Sequence, residues 1–156
     1  MNRAELNAKY EAGTHAVIEA LGDYKHRDLD SKHPEGWSPR QTIHHLADSE
    51  TNSYIRLRRL VGEPEGTLLS GYDEGAWAKS PTLGYEVLPI EHSLALFIAV
   101  RRASLDVLKR LTESDLQKTG IHSEVGKYTF NKWYSDYTAH PFDHAQQIAR
   151  AFEGQL

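Results

Sequence analysis

His140 and His144 lie four residues apart in a stretch marked by Trp133, Tyr137, His140, His144 and Ile148. Steps of four, three, four and four place these residues in one stripe on a helix. The rest of the stripe is aromatic or aliphatic. A polar group facing a core costs free energy unless it finds a partner. Two imidazoles one turn apart on such a face can share one partner, a divalent metal ion.

The chain carries nine histidines. His15, His26, His33, His92 and His122 have no partner at helical spacing and read as surface residues or local hydrogen bonders. His44 and His45 are adjacent, so on a helix they point about 100° apart and cannot both face one ion. The apolar stripe of their helix centres near Ile43, Tyr54 and Val61, and neither histidine lies at that centre. Periodicity leaves open which of the two, if either, is a ligand. There are no cysteines, which excludes disulfides, thiolate ligands and a cysteine nucleophile.

Four long segments have the pattern of helices able to position these residues. The first spans about Arg3 to Leu21, with Leu6, Tyr10, Val17, Ile18 and Leu21 apolar and Gly22 as a stop. The second has Ser38 as N-cap, Pro39 at the first helical position and Gln41 completing a capping box. It is expected to run to about Val61. The third runs from about Pro89 to Leu111, with Leu94, Phe97, Ile98, Leu105 and Leu108 inside. The fourth begins at Thr129, a candidate N-cap, and ends near Phe152 before Gly154. With no strong strand signal, this pattern predicts an all-α fold, a four-helix bundle, as a single domain over 1–156. The connection from Gly62 to Leu88 is too long for a tight turn and would allow the second and third helices to run parallel. Residues Ile121 to Tyr128, with Gly126, could form a small hairpin.

Composition excludes other classes. A 156-residue chain with 39% hydrophobic and 26% charged residues has enough material for one core. Its net charge of -4 argues against nucleic acid as a partner. Arg56, Arg58 and Arg59 read as a solvated helix face. The longest fully apolar run, Leu94 to Val100, is far short of a bilayer span, so no membrane partner is expected. The polar start, Met1 to Glu5, lacks a signal core. A cytoplasmic protein is the expectation.

The run Gly36 to Glu50, with His44-His45-Leu46-Ala47-Asp48 at its centre, resembles the second-helix signature of the DinB/YfiT-like superfamily. Asn52 to Arg56 continues the YfiT-like pattern, and Tyr72, Asp73, Glu74 and Trp77 resemble that subgroup's next landmark. His140 to Ile148 resembles its fourth-helix motif. The resemblance implies a bundle of DinB/YfiT-like type with long connections. It implies three metal ligands: His45, which stands directly before an aliphatic residue, with His140 and His144. Zinc or nickel would suit such a site. Asp143 and Gln147 depart from histidines common in the subgroup and fall at outer or surface positions. Pro141 removes one helix hydrogen bond and frees the carbonyl of Tyr137. A tolerated break is the simpler reading, and adjustment of His140 toward the ion is the other.

Three protein nitrogens leave coordination positions open, the pattern of a catalytic site. Two chemistries follow: hydrolysis by a metal hydroxide, or attack of a metal-activated thiol on an electrophile. The resemblance implies both, since relatives include metal-dependent hydrolases and thiol S-transferases. The leading expectation is transfer of a low-molecular-weight, bacillithiol-like thiol to a small electrophile in detoxification. A non-enzymatic, stress-related metal-binding protein is the reading from another class. Asp48, one turn after His45, is the candidate catalytic acid–base, with Asp143 and Glu50 as alternatives and Glu50 read as a solvated charge. Tyr72, Asp73 and Trp77 either cap a bundle end or line a substrate mouth. The resemblance also implies a homodimer.

Overall fold

A computed structural model describes residues 3–156. Four long helices form: α1 (Arg3–Leu21), α2 (Pro39–Gly62), α4 (Glu91–Leu108) and α6 (Phe130–Phe152). Between them lie a 3-10 turn, Tyr24–His26, and the short helices α3 (Glu74–Lys79) and α5 (Glu113–Leu116). Three short strands complete the described chain: β1 (Thr67–Leu69), β2 (Thr119–His122) and β3 (Gly126–Thr129).

The long helices start and stop where local chemistry demands. At α2 the Ser38 hydroxyl accepts from the Gln41 N–H, and the Gln41 side chain accepts from the Ser38 N–H at 2.9 Å, a complete capping box. At α6 the Thr129 hydroxyl accepts from the Lys132 N–H. Gly22 has φ +55°, the left-handed geometry that ends α1 without a Cβ penalty.

Two buried clusters fix the directions of the helices. One joins Tyr10, Leu57, Leu60, Leu105, Leu108, Trp133 and Tyr137. The other joins Val17, Leu21, Ile43, Leu46, Phe97, Ala145 and Ile148. Helices α1 and α6 therefore run from the first cluster to the second, and α2 and α4 run the opposite way. The consecutive pair α2 and α4 is parallel, as the long connection between them allows. The site lies between α2 and α6.

The structure corrects the sequence reading in several places. Strand β1 pairs in parallel with β2, and β2 pairs antiparallel with β3, so a three-stranded sheet sits at one end of the bundle. The expected hairpin is β2–β3, one residue or two wider at each end. Helix α4 is shorter than expected and ends at Leu108. Ile18 is exposed, and Tyr54 and Val61 are only half-buried. The buried face of α2 keeps Ile43 and passes on through Leu46, Glu50, Ser53, Leu57 and Leu60. No described helix is long and apolar enough to cross a membrane.

Candidate metal centre

The three expected ligands come together. His140 Nε2 lies 3.3 Å from His45 Nε2 and 3.0 Å from His144 Nε2. Among the described residues these three histidines form the group able to hold a metal ion, and no carboxylate joins them. Ligand nitrogens about 2.0–2.1 Å from a common tetrahedral ion sit about 3.3 Å apart, so the spacing is close to that of a coordination triangle.

The donor chemistry fits as well. A neutral imidazole nitrogen either donates or accepts, so three that converge cannot all be satisfied by one another. One cation accepts a lone pair from each. The surroundings keep the rings neutral. Burial, aided by His144, pushes His45 down to about 4. Burial and the neighbouring His144, His45 and Arg101 push His140 to about 2. Burial also lowers His144, with Gln147 and Asp143 opposing.

Packing and hydrogen bonding orient the rings. The Trp37 ring meets the His45 ring edge-on, centroids 5.1 Å apart, and Tyr137 flanks His140 at 6.3 Å. His144 Nδ1 lies 2.7 Å from Gln147 Oε1. A proton on Nδ1 donated to that oxygen leaves the Nε2 lone pair for an ion. The Nδ1 atoms of His45 and His140 are buried without a protein partner. Gln147 is thus the polar support of the triad, three residues beyond His144 on the same helix face, a spacing legible in the sequence. Gln147→Leu should weaken zinc binding about ten- to a hundredfold while leaving the metal-free melting temperature nearly unchanged. Competition titration against a chelating dye measures this, and an unaltered affinity would remove Gln147 from the site.

His44 resolves to a structural role. Its Nδ1 accepts from the Ser93 hydroxyl at 2.8 Å, and its Nε2 donates to the Leu88 carbonyl at 3.1 Å. It pins the start of α4 to α2. Asp48 does not reach the ligand group. Its carboxylate accepts from the Tyr85 hydroxyl at 2.5 Å, and burial raises its pKa against that bond. Tyr85 also stands edge-on to Trp37, at 6.5 Å. These two aromatics border a cavity of about 680 Å³, with Gln41, Ala78, Lys79 and Glu86. The histidines do not line it; Trp37 separates it from His45.

The long connection builds the other wall of that cavity. Asp73 caps α3 by accepting from the Ala76 N–H at 2.8 Å, and Tyr72 packs on Trp77 with centroids 4.6 Å apart. Asp143 is exposed. Two readings are overturned. Glu50 is no solvated charge: it is buried and paired with Arg101 at 2.7 Å, both side chains 1% exposed. Arg56 is buried too, donating to the Tyr137 hydroxyl at 2.5 Å and to the Ser70 carbonyl. A bundle core between facing helices has little room for solvent, so these charges had to find internal partners. Sequence reasoning missed Arg101 altogether. Its place four residues from both Phe97 and Leu105, on one apolar face, was the available signal.

The comparisons place the chain in a family and agree with its fold. A sequence model of the DinB superfamily matches residues 3–148. A protein of Oceanobacillus iheyensis is 37% identical over 127 residues, 81% of this chain and 72% of that one. A protein of Bacillus cereus (strain G9842) is 31% identical over 135 residues, 86% and 76% of the two chains. Both are provisionally named metal-dependent hydrolases. Among solved structures, YfiT from Bacillus subtilis superposes with a TM-score of 0.83 at 26% identity, over 97% of this chain and 86% of its own. It is described as a probable metal-dependent hydrolase with an unusual four-helix bundle topology.

Proposed function

The chain belongs to the DinB superfamily and is YfiT-like, and on that premise we propose that it is a metal-dependent enzyme transferring a low-molecular-weight thiol to a small electrophile. His45, His140 and His144 hold a divalent ion, zinc or nickel, through their Nε2 atoms. A bound ion of this kind lowers the pKa of a coordinated thiol or water, so that a nucleophile is available at neutral pH. The three neutral imidazoles leave its full charge for that task.

One observation carries the thiol reading: the ligand group contains no carboxylate, and the acidic candidate Asp48 is engaged by Tyr85. Activating water needs a large pKa shift and commonly a free carboxylate base. A thiol, at about 8.5, needs a small shift and little base assistance. The sulfur lone pair forms the new S–C bond while the leaving group departs with its bonding electrons. The thiol proton passes to solvent, because Asp48 stands outside the ligand group and is held by the Tyr85 hydroxyl. Hydrolysis is the second reading, favoured by the names the relatives carry.

The test is zinc- or nickel-loaded protein with a panel of low-molecular-weight thiols, bacillithiol included, and chlorodinitrobenzene as acceptor. Thioether formation above the uncatalysed rate with at least one thiol is expected. No acceleration with any thiol, beside measurable cleavage of nitrophenyl esters or anilides, would transfer the assignment to the hydrolase.

A further inference from the structure

All four bundle helices meet at one side chain, Arg101 of α4. Its Nε donates to the Thr14 hydroxyl at 2.6 Å, and one terminal nitrogen donates to the Tyr10 carbonyl, both on α1. The other terminal nitrogen donates to Glu50 on α2 at 2.7 Å and to the Tyr137 carbonyl on α6 at 3.0 Å. That last acceptor is a backbone group inside a helix. It is free because the residue four positions on is Pro141, which has no N–H. Close approach of α1 completes the arrangement: a Cβ on Gly13 would lie 3.3 Å from the Pro141 Cβ and 3.5 Å from an Arg101 terminal nitrogen.

We propose that Arg101 is a positioning residue for the metal centre, holding the ligand-bearing helices α2 and α6 in register through Glu50 and the Pro141-freed carbonyl of Tyr137. This rests on the metal centre proposed above. His140 follows Tyr137 by three residues, and Glu50 follows His45 by five, so Arg101 grips each helix about one turn from its ligand. The His45–His140 spacing of 3.3 Å is set between helices rather than within one. Metal–ligand distances tolerate about 0.2 Å, so a small slide of α6 along α2 parts His45 from the two α6 ligands. His140 and His144 share α6 and would move together. Pro141 then has a purpose beyond a tolerated break: it reserves a backbone acceptor for a donor from another helix.

The test separates registration from mere packing. Arg101→Met with Glu50→Leu removes both charges and keeps apolar volume. Zinc affinity should fall about tenfold or more, with a changed absorption spectrum of the cobalt-substituted protein. Adding Pro141→Ala gives the Tyr137 carbonyl an N–H within its own helix. Thermal stability should then rise without recovery of zinc affinity, because the regained bond does not join two helices. Zinc affinity within about twofold of the parent in the double variant, or recovery in step with stability, would overturn the proposal. Arg101→Lys is the gentler variant if the double one fails to fold. It keeps the charge beside Glu50 but cannot span all four partners, so zinc affinity should drop at unchanged circular dichroism; unchanged affinity overturns the proposal. A parent protein without zinc affinity would overturn the metal centre as well, whereas parent binding with unaltered variants removes only the role of Arg101.

Discussion

Replacing His140 with leucine abolishes stoichiometric metal binding and leaves a metal-free protein at least as stable as the parent. His140 Nε2 lies within 3.3 Å of both partner nitrogens, so its loss leaves only two of the three protein ligands. Its imidazole also costs stability in the metal-free protein. Its Nδ1 is buried without a partner, and such a group costs about 1–3 kcal/mol. Leucine has similar bulk and no polar atom, so a gain of about that size is expected in urea unfolding. Elemental analysis reads the metal, and the pH dependence reads the proton. Both His45 and His140 are held well below an unfolded value near 6.5. Below pH 6.5 the unfolded chain binds protons that the native chain refuses. Stability present above 6.5 is therefore lost as the pH falls toward about 4 for His45 and about 2 for His140. Each such proton contributes a slope of about 1.4 kcal/mol per pH unit. His140→Leu removes one, so its acid limb is shallower. Retained metal, or collapse of the fold, would contradict the assignment of His140 as a ligand held in place by the bundle rather than holding it together.

The legibility of this site in the sequence varied ligand by ligand. His140 and His144 announce themselves, because α6 buries one face and the pair stands in an apolar stripe ending on Trp133 and Ile148, both fully buried. His45 does not. From Gln41 to Ala47 every residue of α2 is buried, so no single face stands out. His44 faces the start of α4 while His45 faces α6, and hydropathy cannot tell those directions apart. Only the ordered likeness to DinB/YfiT-like helices singled out His45. Buried polar residues produced the other errors. Glu50 and Ser53 occupy core positions on α2, so an apolar stripe fitted without them slid onto Tyr54 and Val61. Strand β1 was invisible for another reason. It is three residues long, Leu68 within it is 69% exposed, and it exists through pairing with β2, far along the chain. Tertiary pairing of that kind leaves no local pattern to read.

Arg101→Met alone should be among the most damaging substitutions in the protein, costing about 3–5 kcal/mol of folding stability at neutral pH. Glu50 would remain buried with no cation, and the Tyr10 and Tyr137 carbonyls would each lose a donor. Burial already pushes the Glu50 carboxyl upward, and Arg101 is what opposes it. Without the guanidinium, the folded pKa of Glu50 rises further above its unfolded value near 4.5. A raised folded pKa confers stability below the unfolded value that is lost as the pH rises. The defect should therefore be smallest near pH 4, where Glu50 enters the core protonated, and should deepen through pH 6–7. This trend is opposite in sign to the histidine contribution, so comparing variant and parent at each pH isolates it. Glu50→Gln in the same background supplies the control. It removes the titrating group, so this double variant compared with Glu50→Gln alone should lose that pH dependence. A defect that stayed constant from pH 4 to 7 would show that the lost carbonyl bonds and packing, rather than a stranded carboxylate, carry the cost.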